Sequence, residues 1–115
     1  MKKVYVAGVC SSYTTIGTLT NIRKGMRLST EVLLAGFAPF CPWFDHQFVY
    51  QLRDGEEISK QRYQQNSMVW LSCCDAVLLV PGWENSNGTR REVVEALHLG
   101  IPVFDSLTEL IKGVN

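Results

Sequence analysis

The sequence predicts an α/β domain in which helices cover both faces of a parallel sheet. Strand-like and helix-like runs alternate along the chain, a pattern that calls for parallel strands joined by helical crossovers. The first strand-like run, Lys2 to Gly8, carries β-branched and aromatic residues on both parities, as strands covered on both faces do. From Asp75 to Phe104 the chain reads as strand, turn rich in Pro, Gly and Asn, helix and strand. At 115 residues, one domain spanning 1–115 is long enough to bury a core without disulfide or metal support.

Element by element, the first strand is followed by a loop, GVCSSYTTIGT, rich in hydroxyl side chains. From about Leu19 the pattern turns helical, with Ile22, Met26, Ser29 and Leu33 at spacings of three and four, and Gly36 supplies a stop. Phe37 to Pro42 reads as a short second strand. Trp43 to Gly55 mixes aromatic and polar residues without a period, which predicts a long loop or a loop with a short helix, a kind of segment that is often functional. Glu56 to Cys74 reads as a weakly amphipathic helix, partly exposed or held by a partner. Ala76 to Val80 is the third strand, about Asn87 to Leu99 a helix, and Pro102 to Phe104 a fourth strand. Asp105 or Ser106 caps a last helix through Lys112. The expected architecture is a Rossmann-like (flavodoxin-like) parallel sheet of four to five strands. Ligands gather at the carboxyl ends of such strands, here Gly8 to Tyr13, Pro42 to His46, Pro81 to Ser86 and Asp105.

Composition excludes some classes of function. The chain is 46% hydrophobic and 19% charged with zero formal net charge, so nothing favours duplex nucleic acid or an anionic membrane, both of which need a basic excess. No apolar run approaches the roughly 20 residues of a membrane span. The start, MKKVYVAGV, is too short for a signal sequence and lacks a cleavage site. A cytoplasmic protein is expected. Cys10, Cys41, Cys73 and Cys74 show no metal-ligand spacing and read as reduced thiols packed as small hydrophobes. Cys10 alone falls near a ligand-binding end, with no obvious His partner.

The strand, small-residue turn and helix start around Ser86, Asn87, Gly88 and Thr89 form a place to bind an anion. Glu92 lies in the second turn of that helix, on the same side as Gly88, Thr89, Ala96 and Leu99. A carboxylate there is a candidate for chemistry, or a glutamate stabilised by the helix dipole by roughly 0.3–1 kcal/mol. Ser86 caps the helix or holds a phosphate. Arg90 and Arg91 in the first turn oppose the dipole, which points to a nearby anion or to a solvated face. Tyr5 is near the carboxyl end of its strand, where its hydroxyl can reach a site. Arg23, Lys24 and Arg27 lie on the exposed side of the first helix. Asp45 and His46, flanked by Trp43, Phe44 and Phe48, line a pocket for a planar base or belong to a loop packing its own aromatics.

With these residues assembled, the chain resembles the nucleoside 2-deoxyribosyltransferase superfamily, which includes the deoxynucleoside 5'-monophosphate N-glycosidases. VYVAG is similar to its first strand, with a tyrosine three residues before a glycine. CDAVLLVPGWENSNGTRREVVEAL is similar to its signature, an Asp-led apolar strand, a turn, then Ser/Asp-x-Gly-x-x-x-Glu. The resemblance implies that Glu92 attacks the sugar anomeric carbon and that Tyr5 helps position it. A serine six residues before the glutamate, here Ser86, accompanies enzymes that bind a 5'-phosphate. Gly8, Ser11, Ser12, Arg23, Asn87, Gly88 and Trp83 complete the expected substrate-binding set. No metal and no organic cofactor is implied. The partner is a small-molecule nucleotide or nucleoside, and a homodimer or higher homo-oligomer is expected.

One departure stands out. Where the superfamily carries an Asp that protonates the departing base, this chain has Ser67 or its neighbour Asn66, and neither is a general acid at neutral pH. Asp45 or His46 substitutes, or the protein is slow, or it only binds. The expected function is therefore hydrolysis of the base–sugar bond of a (deoxy)nucleoside 5'-monophosphate. The alternatives are base exchange, a nucleotide-sequestering module, or a structural subunit assembled through the helix of residues 56–74.

Overall fold

The computed structural model describes residues 1–114; Asn115, the last residue of the expected domain, lies outside the described residues. Strand β1 (Lys3–Ala7) is central, pairing in parallel with β2 (Ala38–Phe40) on one side and β3 (Ala76–Leu79) on the other. Strand β4 (Val103–Phe104) pairs in parallel with β3, so the sheet has the order β2-β1-β3-β4. This is a Rossmann-like sheet of four strands, and the direction of winding reverses between β1 and β3. Such a reversal opens a crevice at the strands' carboxyl ends.

Side chains alternate across the pleat. Val4 and Val6 of β1, with Ala76 and Leu78 of β3, face α1 (Thr15–Leu34) and α5 (Leu107–Val114), contacting Val32 and Leu110 in one core layer. Tyr5 and Ala7, with Val77 and Leu79, face α3 (Lys60–Leu71) and α4 (Asn87–His98), contacting Leu71 and Ala96 in the other. Both faces of the sheet are thus covered, which is why its strands read as continuous apolar runs. At the amino ends, Asp75 accepts from the backbone N–H of Lys3 at 2.7 Å, so that carboxylate staples β3 to β1 far from the crevice. The same hydrogen bond holds its pKa below the ordinary carboxylate value.

Caps explain where boundaries differ from expectation. Helix α1 starts at Thr15 rather than Leu19, because the Thr14 hydroxyl accepts from the Gly17 N–H at 2.9 Å. Its buried face is Gly25, Ser29 and Val32, while Leu33 is exposed. Helix α3 starts at Lys60 rather than Glu56, since the Ser59 hydroxyl accepts from the Arg62 N–H at 3.0 Å. It stops at Leu71 instead of Cys74, and residues 52–59 are irregular. Ser106 caps α5, accepting from the Glu109 N–H at 3.2 Å, and that helix runs two residues past Lys112. The aperiodic stretch after β2 folds as a 3-10 turn (Pro42–Asp45) running straight into the short α2 (His46–Tyr50).

Gly25 lies mid-helix for a packing reason. A Cβ there would sit 2.3 Å from the Trp43 indole, so only glycine lets that ring lie against α1. Trp43 is 3% exposed, and its Nε1 donates to the Val9 carbonyl at 3.2 Å. One side chain therefore joins the 42–45 turn to α1 and to the loop after β1. Among the described residues no helix is long and apolar enough to cross a membrane.

Candidate active site

Beyond β1, Gly8 brings the chain against the end of β3: a Cβ there would meet the Val80 side chain at 2.7 Å and the Trp43 ring at 3.2 Å. The Gly8 carbonyl accepts from the buried Thr89 hydroxyl at 3.0 Å. That bond ties the first turn of α4 to the end of β1. Helix α4 opens at Ser86, whose hydroxyl accepts from the Thr89 N–H at 3.1 Å. Glu92 follows one and a half turns later, on the face that carries the buried Thr89 and Ala96. Leu99, expected on this face, is half-exposed at the helix end.

This placement brings Glu92 directly to Tyr5, whose hydroxyl donates to Glu92 Oε2. Tyr5 itself is fully buried. Removal from water is the main cause pushing Glu92 up to about 7, with the Asp45 charge adding to it. The Tyr5 hydrogen bond and the Arg91 charge oppose the rise. The Tyr5 phenol is raised far above its ordinary value, first by burial and then by the neighbouring Glu92 charge. At neutral pH the pair is a neutral phenol donating to a carboxyl group whose ionisation burial opposes.

Glu92 faces a cavity of about 500 Å³, a volume in the range of small-ligand sites. Its walls include Gly8, Cys10 and Ser11 after β1, Asp45 and His46 at the 3-10 turn and α2, and Ser67 from α3. The two residues expected from the irregular segment thus share one cavity with Glu92. Asp45 is pushed above the ordinary carboxylate value by burial, partly offset by His46. Cys10, expected to lack a histidine partner, has one from 36 positions away: its Sγ lies 3.5 Å from His46 Nε2. Burial and the Asp45 charge raise the Cys10 thiol, so it is not an activated thiolate. Among the described residues no group of three or more His, Cys, Asp and Glu side chains is placed to hold a metal ion.

Other expected substrate contacts lie elsewhere. Arg23 is exposed on α1 and Trp83 packs against the core layer containing Tyr5; neither lines the cavity. Ser12 lines a neighbouring groove with Tyr13, Thr14 and Tyr50, on the far side of His46 and Trp43. Ser86, Asn87 and Gly88 stand outside the walls, although a Cβ at Gly88 would lie 3.9 Å from Gln64 Nε2, a cavity group. Arg90 donates to the Asn87 side chain and Arg91 Nε to the Asn87 carbonyl at 3.4 Å, both exposed at the helix start.

The start of α3 and the residue before its cap contribute Ile58, Lys60, Tyr63 and Gln64, none of which sequence reasoning singled out. Lys60 is the only Lys or Arg among the residues lining the cavity. Their sole sequence signal was the Ser59-led helix start, which places Lys60, Tyr63, Gln64 and Ser67 on one face at spacings of three and four. Thr89 was visible as a member of the helix start, but its bond to Gly8, 81 residues away, had no local signature.

These features define a single-domain α/β protein in which a buried phenol is bonded to a half-buried carboxyl group at the carboxyl ends of a parallel sheet. Residues 2–105 match the model of the family described as Domain of unknown function (DUF4406), and the chain belongs to that family. The match runs from just before β1 to just after β4, taking in every cavity residue and leaving α5 outside. No curated protein matches the chain.

Proposed function

We propose that the protein is an N-glycosidase that hydrolyses the base–sugar bond of a (deoxy)nucleoside 5'-monophosphate, with Glu92 as nucleophile. One observation carries the reading: the Tyr5 hydroxyl donates to the Glu92 carboxylate where that carboxylate faces the cavity. A half-buried carboxylate held by a single donor keeps lone pairs free for an electrophilic carbon. Tyr5 fixes the carboxylate's orientation and favours its ionised form, which is the nucleophilic one. The resemblance to the nucleoside 2-deoxyribosyltransferase superfamily supplies the sugar anomeric carbon as that electrophile. Ser86 and the free N–H groups opening α4 hold the 5'-phosphate, and water completes the turnover without metal or organic cofactor. The protein works in the cytoplasm as a homodimer or higher homo-oligomer.

A second reading, a module that sequesters a nucleotide without cleaving it, is favoured by Ser67. That residue is buried at the cavity wall where the superfamily carries an acid. Incubation with a panel of nucleoside 5'-monophosphates, following free base by chromatography, separates the two. The glycosidase releases base from at least one nucleotide, and Glu92→Ala lowers the rate by on the order of 10³-fold or more. Release that persists in Glu92→Ala removes the nucleophile assignment, and tight binding without release favours the module. Added acceptor base that emerges in a new nucleotide identifies base exchange.

A further inference from the structure

Cleavage of a base–sugar bond leaves an electron pair on a base nitrogen, and most bases depart only when protonated. The glycosidase reading therefore requires a proton donor in the cavity, and Ser67 is not one. Tyr5 is committed to Glu92 and held neutral by burial. His46 turns Nε2 toward Cys10, a thiol kept protonated and able to donate to that nitrogen, so this face of the ring is engaged within the protein.

Asp45 differs from these in one respect. It ends the 3-10 turn directly before α2, yet its carboxyl does not cap that helix, and it has no hydrogen bond or ion pair among the described residues. A half-buried carboxyl group without a partner is unfavourable on its own, and is satisfied when a ligand supplies the missing contact. Its place is held from behind by Trp43, two residues earlier, wedged against Gly25 and bonded to the Val9 carbonyl. Asp45 enters the cavity from the turn after β2, whereas Glu92 enters from α4, so the two carboxyl groups approach a bound nucleotide from different walls.

We propose that Asp45 is the catalytic acid that protonates the departing base, in place of the acid missing at Ser67. The assignment rests on the glycosidase reading above. In the first step a Glu92 carboxylate oxygen bonds to the anomeric carbon as the carbon–nitrogen bond breaks. Its electron pair goes to the base, and the Asp45 proton joins the base. In the second step water bonds to the anomeric carbon, the Glu92–carbon bond breaks, and the water proton returns to Asp45. The sum is nucleotide plus water giving free base and sugar phosphate, with both side chains restored. Reaction starts from one proton shared by the two carboxyl groups. Burial is the larger influence on Glu92 and opposes its ionisation; the Tyr5 hydrogen bond works against burial and toward the ionised form the first step uses, while burial of Asp45, partly offset by His46, favours its protonated form.

The test uses the full chain and paired substrates that differ in how well the base leaves without a proton. The pairs are 2'-deoxyguanosine 5'-monophosphate with its N7-methyl form and 2'-deoxyuridine 5'-monophosphate with its 5-fluoro form. Asp45→Asn is expected to lose on the order of 10²–10³-fold on the unactivated member and less than about tenfold on the activated one. On any other nucleotide the wild type cleaves, Asp45→Glu retains at least about a tenth of the rate and Asp45→Asn does not. Equal losses on both members, or unchanged rates, overturn the assignment alone. Absence of base release by the wild type from every nucleotide overturns the glycosidase reading and this assignment with it.

Discussion

Two of the walls of the cavity are built in different ways. The wall made by β1, β3 and α4 is cross-tied by specific hydrogen bonds: Tyr5 to Glu92, Thr89 to the Gly8 carbonyl, and the Ser86 cap. The wall made by residues 42–50 has no side-chain cap on its 3-10 turn or on α2. It leaves Phe44, Phe48, Val49 and Tyr50 exposed and is anchored mainly through Trp43. One wall carries the Tyr5–Glu92 pair, the phenol on β1 and the carboxyl on α4. The other presents Asp45 and His46 on a short connection pinned by a single indole. The difference teaches that the nucleophile candidate is fixed redundantly, whereas the geometry of its partner carboxyl depends on one packing contact.

The largest expected effect breaks the weaker wall. Trp43→Ala removes a fully packed ring from between α1 and the turn and leaves the space beside Gly25 empty. Urea unfolding is expected to show a loss of about 3–5 kcal/mol, the range for large aromatic truncations in cores. A loss below about 1 kcal/mol would mean that other contacts hold the second wall.

The next tests the stronger wall through its charge. The Glu92 folded-state pKa, about 7 against an ordinary 4.5, is raised, so its contribution to stability is fully present below pH 4.5 and is lost as pH climbs through 7. The wild type is therefore expected to lose on the order of 3 kcal/mol from this group between pH 4 and pH 8. Glu92→Gln keeps the shape and can still accept from Tyr5, but cannot ionise. The variant should flatten this part of the pH–stability curve, its advantage over the wild type growing from pH 5 to pH 8. Parallel curves for the two proteins would contradict the burial of an ionisable carboxyl group at this point.

The smallest concerns the tie between α4 and β1. Thr89→Val preserves volume and removes the hydroxyl that donates to Gly8, which is expected to lower stability by about 1 kcal/mol, read as a shifted urea midpoint at unchanged slope. A neutral result would indicate that the cap and the Tyr5–Glu92 bond suffice to seat the helix.

The same contrast explains what could be read in advance. The strong wall was legible because its determinants are local and periodic. Val4, Val6, Ala76 and Leu78 alternate with Tyr5, Ala7, Val77 and Leu79, and Ser86 caps the helix that carries Glu92 at a fixed helical offset. The helix starts at Thr15 and Lys60 were misplaced by four residues because hydroxyl caps, not apolar periodicity, decide where those helices begin. Residues 43–55 carry no apolar period because the one buried side chain among them, Trp43, packs against a glycine 18 positions away. Arg23 and Trp83, expected in the substrate-binding set, stand outside the cavity that Glu92 faces.

The alternation of strands and helices, the two-sided burial of β1 and β3, and the position of Ser86 and Glu92 at the start of one helix are all written in the local sequence. Hydrophobic periodicity and capping act over a few residues, so they are written locally. The Tyr5–Glu92 contact across 87 positions, expected from resemblance alone, the unforeseen approach of Cys10 to His46, and the approach of Asp45 to the same cavity come from the packing of remote segments. Those meetings depend on parallel strand order and on close packing at Gly8 and Gly25. Chains fix such contacts only by folding, when side chains remote in sequence compete for the same volume.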